Sequence, residues 1–226
     1  TSGPPYGLVY LSDVNGADDR AQLSERVDDS FEALRRRVVE ETGWRYLSIL
    51  GSAWRPMDHT PRPGQSRRSW HVCGRAIDVN QDFYDRDDQL IQLVREDVGN
   101  ETYWRVFIEA SEQDGSMGEP LRVAPWDLKA REEEDSTAAV QGGRPLEKVP
   151  SGYYVDFTTL AADYGWERVA ALYRWRHFWP DIEWWHFQKR DGMEWWQCML
   201  EIYEPEEIEE SFGPIPAGVM EGGSEE

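Results

Sequence analysis

The sequence has little of several things. Among its 226 residues are two cysteines, four histidines and no apolar run near the ~20 residues that a membrane-spanning helix needs. Runs of arginine occur only at Arg35-Arg36-Arg37 and Arg67-Arg68. A transmembrane segment is therefore excluded. Nucleic-acid binding driven by counterion release is excluded too, because it needs dense positive charge. Both short arginine runs read as solvated faces. Two cysteines, Cys73 and Cys198, leave open a pair in an oxidising compartment or two buried thiols. Cys73 lies two residues from His71, which makes it a conceivable soft metal ligand. A small buried apolar position in a strand is the favoured reading. No leader peptide is visible. The chain opens on Thr1-Ser2-Gly3-Pro4-Pro5, without Met, so the expectation is a processed product from which a leader or other domains were removed.

What is abundant is aromatic and acidic. Twelve Trp, ten Tyr and seven Phe are too many for a disordered chain. The net charge is −20, which favours solubility. Nine glutamates and no basic residue fall in 201–226. The expected organisation is one domain over 1–203 with an inserted region at about 100–182, followed by an acidic, disordered tail over 204–226.

Apolar spacing predicts a helix over 18–42, capped by Asp18 or Asp19 and ended by Gly43. Tyr46 to Leu50 reads as a buried strand, 56–68 as a proline-rich loop and Ala76 to Val79 as a short strand. A helix is predicted over 86–97 and a strand from Tyr103 to Ala110, with Leu121 to Val123 as its hairpin partner. The charged segment 127–149 reads as an exposed loop or flap. Asp156 to Val169 and Met193 to Tyr203 read as helices, and Glu183 to Gln188 as a strand. The tetrad Glu183-Trp184-Trp185-His186 is echoed at Glu194-Trp195-Trp196-Gln197, read as coincidence or aromatic packing.

Two of the four histidines fall in clusters that carry chemistry. His71 and Asp78 are seven residues apart, and Gly74 between them lets the chain turn back so that both face one point. His186 arrives about a hundred residues later. Two imidazoles and one carboxylate make three ligands for a catalytic zinc ion, with one position open to water, whose pKa can fall to about 7. Each imidazole needs a partner on its other nitrogen. Singly, each of the three residues also fits a hydrogen-bonded core position. Glu183 stands three residues before His186. On a regular strand the two would face opposite ways, so a bend is required for Glu183 to serve as general base. Trp184 and Trp185 beside it would raise its pKa. Arg55 is a candidate to stabilise an oxyanion or clamp a substrate carboxylate, against the plainer reading of a surface ion pair. His59 and His177 read as surface or packing residues.

These residues resemble a known family. Ser69-x-His71-x-x-Gly74-x-Ala76-x-Asp78 is similar to the first signature of the zinc D-Ala-D-Ala carboxypeptidases and dipeptidases. That group includes the vancomycin-resistance peptidases and phage L-Ala-D-Glu endolysins, and more widely lysostaphin-type endopeptidases and the hedgehog signalling domain. Glu183-x-Trp185-His186 resembles its later signature, and Ser52-x-Trp54-Arg55-Pro56 its earlier Ser-Gly-Tyr-Arg segment. The resemblance implies that His71, Asp78 and His186 bind Zn2+. It makes Glu183 the catalytic base and Arg55 a stabiliser of substrate or transition state. Ser69, Arg55 and Trp185 would contact substrate. The implied fold is α+β, a small, mostly antiparallel sheet with flanking helices, as in the hedgehog and DD-peptidase zinc fold. The implied activity is hydrolysis of peptidoglycan peptides outside the cell or in its envelope. A non-catalytic zinc module binding a glycan or protein is the alternative.

Overall fold

Phe31, Leu34 and Val38 recur at helical spacing and are all fully buried, so a helix forms where the periodicity predicts one. Its extent differs from the expectation. A computed structural model describes residues 3–16, 20–134 and 136–219. In it α1 spans Asp28–Thr42, and two strands precede it, β1 Leu8–Asn15 and β2 Arg20–Ser24. Ala21 and Leu23 alternate inward along β2, and Leu23 pairs with Val9 of β1. The alternation places 20–24 in a hairpin rather than in the first turns of the helix. The expected caps Asp18 and Asp19 lie outside the described residues. Gly43 ends α1 as expected, at φ 75°, with its N–H bonded to the carbonyl of Val39.

The elements that follow are β3 Leu50–Ser52, β4 Ala76–Val79, β5 Tyr84–Asp85, β6 Asp88–Gln89, β7 Ile91–Val98, β8 Glu101–Glu109 and β9 Trp126–Asp127. After them come α2 Thr137–Gln141, β10 Arg144–Pro145, β11 Tyr154–Asp156, α3 Phe157–Asp163, β12 Glu167–Arg168, β13 His186–Gln188, α4 Trp195–Ile202 and α5 Pro205–Phe212. Two sheets matter most, with strand orders β12-β13-β4-β3 and β11-β8-β7. Every pairing between these named strands is antiparallel. A bridge between Asn15 and Ile49 is parallel. The mixed, largely antiparallel α+β class is thus as expected.

Several local expectations are corrected. Tyr46–Ser48 is a 3-10 turn, and the strand starts later, at Leu50. The segment 86–97 holds no helix: a turn at 86–87 joins β5 to β6, and β7 runs from Ile91. Gly99-Asn100 makes a two-residue turn, with Gly99 at φ 62°, and sets Val98 opposite Glu101 in a long hairpin. Leu90, Ile91 and Val94 fit a helical face as well as a strand, so apolar spacing alone misjudged them. The partner of β8 on its other edge is β11, with Val155 opposite Ile108; Leu121 to Val123 forms no strand.

The charged segment 127–149 is largely exposed, as expected, but it holds the short elements β9, α2 and β10 and is tied to the core rather than loose. Leu128, Ala130 and Ala138 are buried. Arg131 donates to the carbonyls of Trp175 and Gly142. Small residues allow this close fit: a Cβ on Gly142 would stand 2.6 Å from the Cα of Arg176. The expected helix over 156–169 is shorter, α3 giving way to β12 after Gly165. The expected disordered tail is also corrected, because residues 205–212 form α5. Glu204 and Glu207 build a capping box, Pro205 begins the helix, and Ile208 is fully buried. Residues 220–226 of that tail lie outside the described residues.

Most buried side chains form one core between α1, α3 and the two sheets. A second, smaller cluster joins Val72 and Cys73 to α4 and α5. Cys73 and Cys198 form a disulfide across it, with a Cα–Cα distance of 5.9 Å. Cys73 therefore sits in a turn before β4 as half of a disulfide. It is neither a strand residue with a free thiol nor a metal ligand.

Candidate metal centre

β4 and β13 are adjacent, and their register sets His186 directly opposite Asp78. The turn that precedes β4 carries His71. It reverses at Gly74, φ 68°, where a Cβ would stand 2.7 Å from the backbone nitrogen of Ser24. Sheet register and a glycine turn thus bring together residues more than a hundred positions apart. His71 Nε2, Asp78 Oδ1 and His186 Nδ1 form a triangle with every side 3.2 Å. Nitrogen and oxygen donors at about 2.0–2.1 Å from a tetrahedral zinc lie about 3.3 Å from one another. The three are a group that could hold a metal ion.

The outer nitrogens explain why the inner ones face each other. His71 Nδ1 lies against the carbonyl of Ala53, and His186 Nε2 lies 3.2 Å from Gln188 Oε1. Both partners are acceptors, so both outer nitrogens carry the proton. When both rings are neutral, the inner nitrogens present lone pairs to one another and to a carboxylate oxygen. That arrangement asks for a cation at its centre. His71 is fully buried, His186 nearly so.

Protonation follows from the same packing. Burial holds the His71 pKa below its ordinary value. Burial acts on His186 in that direction too, but the Asp78 carboxylate outweighs it and raises His186. Burial pushes Asp78 up, yet His71 and His186 hold it well below the usual carboxylate range.

Glu183 sits at φ 59°, a left-handed conformation uncommon for a side chain of its size. The turn is closed by the His186 N–H donating to the Glu183 carbonyl at 3.1 Å. This is the bend the sequence required, and it places the carboxyl among the charges of the cluster. Burial raises its pKa above the ordinary value, and the Asp78 charge adds to that. The charges of His186 and Arg55 and the amide of Gln65 oppose it. Gln65 Nε2 approaches Glu183 Oε1 at 3.5 Å.

Arg55 lies in the site, but in an ion pair. Its Nη2 contacts Asp78 Oδ2 at 2.5 Å, and its Nε donates to Ser52 Oγ at 2.8 Å. It braces the outer oxygen of the Asp78 carboxylate, leaving Oδ1 toward the histidines. Ser69 Oγ accepts from the His71 N–H at 3.3 Å, shaping the turn. Trp185 is buried and stacks on Trp179, which is 45 % exposed. His59 and His177 are exposed.

Sequence reasoning missed two residues. Gln188 is legible in hindsight, because residues two apart on a strand share a face. Gln65 carries no signal, since its loop position depends on the fold. No family model, curated protein or solved structure matches this chain.

Proposed function

We propose that this protein is a zinc-dependent peptidase that cleaves D-amino-acid-containing peptides of peptidoglycan, most simply as a D-Ala-D-Ala carboxypeptidase. The observation that carries the reading is the triangle of His71, Asp78 and His186, its lone pairs turned inward, beside a desolvated Glu183. The donor set fits zinc: imidazole and carboxylate are both common zinc ligands, and three of them leave a position for substrate or water. A bound zinc ion would supply Lewis acidity, acidifying water and polarising a carbonyl.

The chain's own groups supply the rest. Glu183 takes a proton from the water whose oxygen attacks the peptide carbonyl carbon. As the C–N bond breaks, it returns that proton to the leaving amine. A raised pKa suits both roles, since the group must accept and release a proton near neutrality. Arg55 orients Asp78 and presents its remaining N–H donors to a substrate oxygen. Trp185 and the partly exposed Trp179 stacked on it offer an aromatic surface to substrate.

A second reading, a non-catalytic zinc module for a cell-wall glycan or protein, draws on one observation. Arg55 is already paired with Asp78 rather than free. The buried disulfide is compatible with an oxidising, extracellular setting. No helix among the described residues is long and apolar enough to cross a membrane.

The test is incubation with purified peptidoglycan peptides, with and without a chelator, read by mass spectrometry. Release of D-Ala that the chelator abolishes, and that Glu183→Ala loses, is expected. Metal binding without any hydrolysis would favour the second reading.

A further inference from the structure

The loop between Pro56 and Arg68 leads from β3 into the turn that carries His71, and its charge opposes that of the rest of the chain. The protein is at −20, yet this loop holds Arg62, Arg67 and Arg68 against Asp58 as its one carboxylate. All three arginines are exposed. Several other surface arginines find acids, Arg37 with Glu40, Arg144 with Glu133 and Arg190 with Glu167, whereas Arg36, Arg45 and Arg86 stand exposed and singly along the chain or on α1. Among the described residues, Arg62, Arg67 and Arg68 pair with none. Arg67 lies over the Phe212 ring at 5.2 Å and Arg68 over Trp196 at 4.5 Å. Those contacts hold the guanidinium groups at α4 and α5 without neutralising them.

The same loop reaches the metal centre. Gln65 stands between Arg62 and Arg67 and touches Glu183. Pro63 accepts from Arg174 Nη2 at 2.8 Å, which anchors the loop on its other side. The loop that carries these three unneutralised arginines therefore reaches Glu183 through Gln65, in a chain with acid to spare. At physiological salt, charges separated by more than about 8 Å are largely screened.

We propose that the 56–68 loop docks an acidic stretch of the peptide substrate, Arg62, Arg67 and Arg68 taking carboxylates that flank the scissile bond. The proposal rests on the hydrolase reading above. An arginine fork matches a carboxylate with two parallel hydrogen bonds, which selects side-chain carboxylates over neutral amides.

The test uses the full chain as Glu183→Ala, loaded with zinc, so that binding is read without turnover. Two fluorescein-labelled peptides of one sequence, carrying either three Glu or three Gln, are titrated by fluorescence anisotropy. The Glu peptide is expected to bind about tenfold tighter at low salt, and the preference to vanish at high salt. Arg62→Gln, Arg67→Gln and Arg68→Gln together should abolish the preference. The three corresponding Lys substitutions should retain most of it, and they serve if the Gln variant does not fold. Equal affinity of the two peptides for the parent, or a preference unchanged in the Gln variant, overturns the proposal. Hydrolysis by the unmutated protein is scored separately. A charge preference without hydrolysis would sink the peptidase reading and leave the acidic docking rim. Hydrolysis without a preference would sink the rim alone.

Discussion

Glu183-Trp184-Trp185-His186 and Glu194-Trp195-Trp196-Gln197 begin with the same three residues and do different work. In the first, Glu183 adopts a left-handed turn and the segment runs on into β13. In the second, Glu194 sits at φ −82°, forms a capping box with Gln197 and opens α4. The Gln197 side chain accepts from the Glu194 N–H at 2.8 Å. The first tetrad buries both tryptophans in the main core and turns its fourth residue to the metal triangle. The second supports that centre from behind. Trp195 Nε1 donates to the Ser69 carbonyl, and Cys198, on the same helix, is bonded to Cys73. One copy supplies a candidate metal ligand; the other holds the turn that carries His71. Identical side chains acquire different roles because the residue after them and the chain's long-range partners differ.

The sharpest way to break this contrast is to remove each glutamate. Glu183→Ala should lower peptide hydrolysis by about 10²- to 10⁴-fold, the usual value of a general base, while Glu194→Ala leaves turnover near that of the parent. Comparable losses in both, read by mass spectrometry of released products, would erase the distinction. Removing the disulfide comes next. Cys73→Ser with Cys198→Ser should cost about 2–4 kcal/mol of stability in urea unfolding, and should weaken metal retention because the His71 turn loses its tie to α4. Unchanged metal affinity would show that the turn stands without that support.

Gln188→Ala should reduce zinc affinity about 10- to 100-fold in competition with a chromophoric chelator, because His186 loses the acceptor that fixes its tautomer. His186→Gln, which makes the first tetrad match the second, should cost more than that. The smallest effect belongs to the second tetrad: losing its cap in Glu194→Ala should cost about 1 kcal/mol of stability, with zinc content unaltered.

Glu183 also has a pH signature in the metal-free protein. Its carboxyl has a folded-state pKa raised above the ordinary 4.5. Below 4.5 both folded and unfolded states are protonated, and the group contributes nothing to pH dependence. As pH rises from there through the raised value, the unfolded chain releases the proton first and stability falls. Glu183→Gln should therefore be no more stable than the parent at low pH and more stable at neutral pH, with chelator present. A gap that does not widen with pH would mean that burial places no strain on this carboxyl.

Much of the site was legible because its signals are local. His71, Gly74 and Asp78 lie within eight residues, and the glycine's role in the reversal follows from its lack of a Cβ. The need for a bend at Glu183 followed from strand geometry alone. Arg55 was named too, but its partner was not, since nothing near it in sequence points to Asp78. The errors in the fold share a cause. Residues 20–24 and 91–98 have apolar spacings that suit helix and strand alike, and hairpin partners decided between them. The segments 127–149 and 205–212 looked charged enough to be loose. A few small or apolar residues, among them Ala138 and Ile208, found cavities in which to pack.

Composition and local spacing alone determined that this chain folds, that it lacks a long apolar span, and that two imidazoles and a carboxylate are candidates to share a cation. Those conclusions depend on side-chain chemistry and on separations of a few residues. Tertiary structure decided which nitrogen of each histidine faces inward, that Cys73 is bonded to Cys198, that Arg55 is spent on Asp78 and that the arginine-bearing loop borders Glu183. Each of these depends on the register of β4 against β13 or on contacts between residues far apart in the chain, and such contacts exist only once the backbone has closed around them.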